Sequence, residues 1–287
     1  MPCRKVHGWC GPEGKSGHRK IEAAGPNLNL QGWVAWAPGR ETPEAWRRWA
    51  LAGEEGGDAA GSGALAAPPP LKSIPPLLRR RADAMGRAAL HVLTRPEMPY
   101  GGQPLVLCSR LGEFRRSFEL QAEMAREGRV SPQQFSMAVH NAIGGLFMMA
   151  EKAHAPLTAL AAGAEGSLAG LQESAIQLAD GAKVVWLLYC AEPLPEQYHF
   201  FAAPDERASH FALLFAWSAG DEFQLAPDAH SVQNGASRTA SPLELLSFLL
   251  CPERDSICLS ARGNWTLRRG TLRRGTLRRA ARAGAGL

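Results

Sequence analysis

Residues 30–38, LQGWVAWAP, alternate apolar and polar positions and stop before a Gly, the pattern of a half-buried strand running into a turn. The period then changes. In 42–54 a Thr precedes a Pro and an early Glu, and Trp46 and Trp49 fall on one face, which predicts a capped helix. Residues 53–70 are rich in Gly, Ala and Pro and read as a loop. Residues 77–93 place Leu78, Ala82, Met85, Ala89 and Val92 on a stripe opposite a run of arginines, a single amphipathic helix. Residues 103–109 read as a short strand and 113–128 as a helix closed by Gly. Residues 131–151 begin as a turn, pass through a short extended stretch and continue as an apolar helix.

The next segment, TALAAGAEGSLAGL at 158–171, goes from an apolar strand through a small-residue turn into a helix predicted over 165–178. Residues 182–190 and 210–218 are almost wholly apolar strands, as a sheet covered on both faces requires. Residues 241–250 form a capped helix and 256–260 a possible edge strand. Strands alternating with helices predict an α/β layered domain.

The chain has 287 residues, 45% hydrophobic and 21% charged, as expected of a globular protein. Its net charge of +5 is unevenly placed. Seven arginines and no acids lie in 266–287, and residues 1–29 carry five Lys/Arg against two Glu, so residues 30–265 are net acidic. The domain itself therefore lacks a nucleic-acid footprint. No apolar run reaches the roughly 18–20 residues of a membrane span, and no secretory signal is visible. Six scattered cysteines read as reduced thiols of a cytoplasmic protein.

The predicted organisation is an extension at 1–29 without order or counterpart, a domain at 30–265 and a disordered Arg-rich tail at 266–287. TLRRG occurs at Thr266 and Thr271 and TLRRA at Thr276, a five-residue period that keeps no continuous apolar face.

The turn at Gly163, Ala164 and Glu165 has the form that presents a nucleophile before a helix N-terminus, yet carries none. Glu165 reads as a charge suited to the helix dipole. Ser167 sits in EGSLA, without the Gly-x-Ser-x-Gly context of a hydrolase. Cys108 and Cys190 lie in apolar strands as small hydrophobes. His140 and Asn141 are adjacent and read as structural hydrogen-bonding groups rather than a catalytic pair. His154, His199, His210 and His230 lack metal-ligand spacing, and Cys3, His7, Cys10 and His18 match no standard zinc module. The Gly-Lys-Ser within 14–18 lacks the rest of a phosphate loop. No metal or cofactor is expected.

Three stretches carry a family resemblance: PPPLKSIPPLLRRRADAMGRAALHVL at 68–93, LVLCSRLGEFRRSFELQAEMAREGRVSPQQFSMAVHNAIGGLFMMAE at 105–151, and PLTALAAGAEGSLAGLQESAIQLADGAKVVWLLYCAEPLPEQY at 156–198. Together they resemble the β-ketoacyl synthase-like N-terminal domain family, including chain-length-factor-like subunits of type II aryl-polyene and polyketide synthases. The resemblance implies a thiolase-like layered α/β fold, its N-terminal half only, because the stretch after residue 218 is short for a second half. Within it, TALAAGAEGSL corresponds to the turn that carries the nucleophilic Cys, with Gly163 at that place to within one residue. The implied function is a non-catalytic subunit partnering a full-length ketosynthase, with acyl carrier protein reached indirectly and neither specific nucleic acid nor membrane as partner. His140, Asn141, Gly144, Gly145, Met148, Gly163, Gly166 and Ala169 are the implied interface. The alternatives are an active acyltransferase or condensing enzyme with an unrecognised nucleophile, and an anion binder working through its basic tail.

Overall fold

The computed structural model describes residues 25–52, 68–201, 210–227, 239–260 and 265–270. Its centre is one eight-stranded sheet, in the order β3-β2-β4-β5-β1-β6-β8-β7. The strands are β1 (Asn27–Trp36), β2 (Leu105–Cys108), β3 (Leu157–Leu160), β4 (Val185–Ala191), β5 (Phe211–Ala219), β6 (Phe223–Pro227), β7 (Ser256–Ser260) and β8 (Trp265–Arg269). β3, β2 and β4 are parallel, and the remaining pairings are antiparallel. The helices are α1 (Pro43–Ala52), α2 (Pro76–Arg79), α3 (Ala84–Leu93), α4 (Phe114–Glu127), α5 (Pro132–Ser136), α6 (Ala142–Glu151), α7 (Gly166–Ala179) and α8 (Pro242–Leu250).

Two cores follow from the alternation of side chains along the strands. Leu105, Leu107, Trp186, Leu188, Leu214 and Ala216 point to one face, where α3 and α6 cover them. Val106, Cys108, Leu187, Tyr189, Phe215 and Trp217 point to the other, beneath α7, with α8 and α1 farther along the sheet. β4 and β5 are buried on both faces, which is why their sequences are continuously apolar.

The structure differs from the sequence reading in several places. The stretch 77–93 is two helices, because the Asp83 carboxylate accepts from the Gly86 N–H (2.8 Å) and starts α3 anew. The extended stretch expected within 131–151 is absent; α5 passes through successive turns into α6. β6 is an additional strand. The first TLRR repeat is ordered, against the expected tail boundary. Thr266–Arg269 belong to β8, which is paired on both sides, by β6 and β7. Four residues suffice to fill an interior slot, and Leu267 is fully buried there. At the other end of the domain the first strand begins earlier than expected, since β1 starts at Asn27. Residues 1–24, the 53–67 part of the expected loop, His230 and the repeats from Thr271 onward lie outside the described residues, and with them the Cys3, His7, Cys10 and His18 group and the Gly-Lys-Ser at 14–18.

Candidate functional site: the turn between β3 and α7

β3 is the last strand at one edge of the sheet, and all four of its residues are half-buried. Beyond it the chain makes a single 3₁₀ turn at Gly163–Glu165 and enters α7. Gly163 has φ +57°, a left-handed conformation that glycine adopts without steric cost. A Cβ placed there would meet nothing within 4 Å, so the tip of the turn is open. Glu165 is half-buried at the start of α7, with the Thr239 hydroxyl donating to it at 3.5 Å.

α7 lies unusually close to the sheet. A Cβ on Gly170 would sit 2.7 Å from Tyr189 Oη, 2.8 Å from Leu187 Cδ1 and 2.9 Å from Cys108 Sγ. Tyr189 donates its hydroxyl proton to the Ser167 carbonyl at 2.8 Å, and the Ser174 hydroxyl donates to the Gly170 carbonyl at 2.8 Å. Ser167 itself is wholly buried, and its hydroxyl has no partner among the described residues. It faces inward, away from the open tip.

His140 closes the turn from the side. Its Nε2 lies 2.9 Å from the Leu160 carbonyl and donates to it, which fixes the Nε2–H tautomer in the neutral ring. The Ser109 N–H donates to the same carbonyl at 3.2 Å, and the Ser109 hydroxyl accepts from the Gly112 N–H at 3.1 Å. Gly112, at φ +58°, leaves room that the His140 ring fills. Asn141 is exposed just before α6 and caps nothing with its side chain. The structure therefore puts His140 on the strand end and leaves Asn141 apart.

The remaining interface candidates divide. Gly144 is buried against β3, where a Cβ would lie 2.6 Å from Leu157 Cδ1. Met148 packs on the inner core and receives the Tyr100 hydroxyl at 3.6 Å. These two serve the chain's own packing. Gly145, Gly166 and Gly163 have open space at the Cβ position, and Ala169 is half-buried. Met149, 50% exposed on α6, and Ile176, 62% exposed on α7, lie on the two helices that flank β3.

Among the described residues no thiol near the turn is poised to react. Cys108 is buried, and burial together with the Glu173 carboxylate pushes its pKa up to about 12. Burial raises Cys190 well above its ordinary value.

An ionic cluster that the sequence reading missed lies beyond the C-terminal ends of β2 and β4, at the same end of the parallel strands as the turn. Arg116 contacts Asp83 (3.0 Å) and Glu113 (3.3 Å) and donates to the Arg81 carbonyl at 3.2 Å. Burial, and then the hydrogen bond to Asp83, pushes Glu113 to about 9, so it stays protonated at neutral pH. Burial alone would raise Asp83, but the bonds from Glu113 and the Gly86 N–H, with Arg116, hold it below its ordinary value. Burial likewise takes Glu192 to about 7, although Arg115 lies 3.6 Å away. Nothing in the linear spacing of these residues signals that the fold gathers them. The adjoining cavity, lined by Ser109, Leu111, Phe114, Glu192 and Leu194, is about 20 Å³, room for a water molecule and not for an acyl chain. Among the described residues no group of His, Cys, Asp and Glu has the arrangement of a metal site, and no helix is long and apolar enough to cross a membrane.

A mixed sheet between helical layers, with a strand, sharp turn and helix at the parallel end, fits a thiolase-like fold. The profile of the beta-ketoacyl synthase N-terminal domain matches residues 46–267, and the chain belongs to that family. A chain of the ketosynthase (ApeO) in complex with its chain length factor (ApeC) from Xenorhabdus doucetiae is 23% identical. The two superpose with a TM-score of 0.69, over 85% of this chain and 99% of that one. The ishigamide ketosynthase/chain length factor is 16% identical, with a TM-score of 0.54 over 71% of this chain and 68% of that one. The type II polyketide assembly AntDE:AntF, an acyl-carrier protein in complex with its ketosynthase, gives 12% and 0.54, over 75% and 67%. At these identities the likeness establishes the fold. No curated protein matches the chain by sequence.

Proposed function

We propose that this chain is a non-catalytic ketosynthase-like subunit that pairs with a full-length ketosynthase in the cytoplasm. In that assembly it acts as a chain length factor in aryl-polyene, polyketide or fatty-acid-like synthesis. The observation that carries this reading is Gly163 at the open tip of the turn between β3 and α7. Condensation needs a thiolate to hold the acyl group, and glycine offers no side chain to form the thioester. The buried Cys108 thiol, protonated throughout the physiological range, does not substitute for it.

The edge of the sheet supports the partnership. β3 is paired only with β2 among the described residues, and the two helices that contact it, α6 and α7, carry the exposed Met149 and Ile176. A half-buried edge strand under two helices with exposed apolar side chains suits continuation of the sheet into another subunit. Acyl carrier protein then meets the complex through the ketosynthase.

Coexpression with a full-length ketosynthase of a type II system tests the reading. The wild-type chain should copurify with that enzyme, and Met149→Arg/Ile176→Arg should abolish copurification without altering the melting of the chain alone. Incubated with acyl-carrier-protein thioesters, the chain should keep its unmodified mass. A stable monomer that never associates, or an acyl adduct on this chain, overturns the proposal.

A further inference from the structure

β8 sits between β6 and β7 through few but specific contacts. Leu267 is fully buried and Thr266 nearly so. Arg269 donates to the carbonyls of Phe248 (2.7 Å), Leu249 (3.2 Å) and Cys251 (3.3 Å) at the end of α8, and its guanidinium lies over the Phe223 and Phe248 rings. Gly270 then donates its N–H to the Glu222 carbonyl at 2.8 Å. A Cβ at Gly270 would overlap the Asp221 carbonyl oxygen, so the residue after the strand must be glycine. The slot therefore selects a buried Thr-Leu pair, an Arg two residues after the Leu, and a Gly immediately after that Arg.

The same five residues come again at once, as Thr271, Leu272, Arg273, Arg274 and Gly275. A third copy begins at Thr276 but ends in Ala280. We propose that the slot between β6 and β7 accepts two alternative segments of this chain, residues 266–270 as seen here or residues 271–275, and rejects the third. A slip by one whole repeat returns identical side chains to identical faces, so the rule that a register shift of one residue turns a strand inside out does not oppose it. The connection from Ser260 would then span nine residues instead of four, and loop closure grows only slowly with length. What separates the two registers is Trp265, half-buried against the core in the first and replaced by Gly270 in the second. The first register is therefore the populated one, and the second becomes dominant when the first is damaged.

Four full-length variants test this by thermal melting and amide hydrogen exchange read by mass spectrometry. Leu272→Asp should melt like the wild type. Leu267→Asp should stay folded, with exchange at residues 271–274 slowed at least about tenfold relative to wild type as that segment enters the sheet. Leu267→Asp/Leu272→Asp should lose the cooperative transition, because Ala280 bars the third repeat. Adding Ala280→Gly to that pair should restore it. Two registers are ruled out if Leu267→Asp unfolds as fully as the double variant, or folds with residues 271–274 still exchanging at the wild-type rate. They are ruled out equally if the double variant stays folded, if Leu272→Asp alone unfolds, or if Ala280→Gly restores nothing. A rescue that depends on protein concentration and elutes as a dimer would mean strand exchange between copies and also overturns the proposal.

Discussion

Gly144 and Leu157 touch where α6 crosses the edge strand: the missing Cβ of one is the space taken by the δ-methyls of the other. Gly144 thus sets the distance between helix and sheet. Gly144→Ala should cost about 1–3 kcal/mol by overpacking. Gly145→Ala, with nothing within 4 Å of the new methyl, should be neutral or stabilise by about 0.5–1 kcal/mol through helix propensity. Urea melts of the two variants measure the contrast, and equal effects would contradict the packing described.

The Asp83, Glu113 and Arg116 cluster predicts how stability depends on pH. Glu113 titrates near 9 in the folded chain and near its ordinary 4.5 when unfolded. Between these values the folded state holds the extra proton, so this group makes stability fall as pH rises, by at most about 1.4 kcal/mol per pH unit. Glu192, near 7, adds to the same slope between 4.5 and 7. Glu113→Gln keeps a donor for Asp83 and removes the titration, so denaturant melts from pH 6 to 9 should show a shallower decline in the variant. Parallel curves would mean that Glu113 is ionised in the folded protein.

β8 predicts where the chain tolerates shortening. A chain ending at Gly270 keeps every contact described and should melt within about 2 °C of full length. A chain ending at Trp265 loses Leu267 and both flanking ladders, and should be less stable by at least about 3 kcal/mol. Arg269→Ala, which removes one donor from each of three carbonyls at the end of α8, should cost about 1–2 kcal/mol. Calorimetry of the three proteins orders these effects.

Thiol chemistry separates a buried cysteine from an active one. Cys108 and Cys190 are almost wholly buried, with raised pKa values, whereas Cys251 and Cys258 are half-buried. Iodoacetamide at pH 8 followed by peptide mass analysis should leave Cys108 and Cys190 unlabelled in the native protein and label them in urea. Rapid native labelling of Cys108 would show a thiolate that the structure does not provide.

Much of this was legible in the sequence because it rests on local patterns. The apolar runs at β4 and β5, the Ser241 cap of α8 and the turn at Gly163 each carry their signal within ten residues or fewer. Asp83 was legible in principle, as a capping residue before an apolar run, but the longer amphipathic stripe around it outweighed that signal. β8 was missed for another reason. A five-residue period excludes a long periodic element, yet a single repeat is long enough for a slot whose neighbours supply the ladder. The roles of Gly144 and Gly145 could not be separated either, since which of two adjacent glycines faces the strand depends on the helix's rotation on the sheet.

The closeness of α7 to β2 and β4 has a consequence for traffic through the molecule. Tyr189, Leu187 and Cys108 occupy the volume beneath Gly170, so the space between α7 and the sheet is filled at that point. At Gly163, by contrast, a Cβ would find open space on the outer side of the turn. In the pairing proposed above, that outer side is the wall this chain would offer, and the opposite wall would belong to the partner.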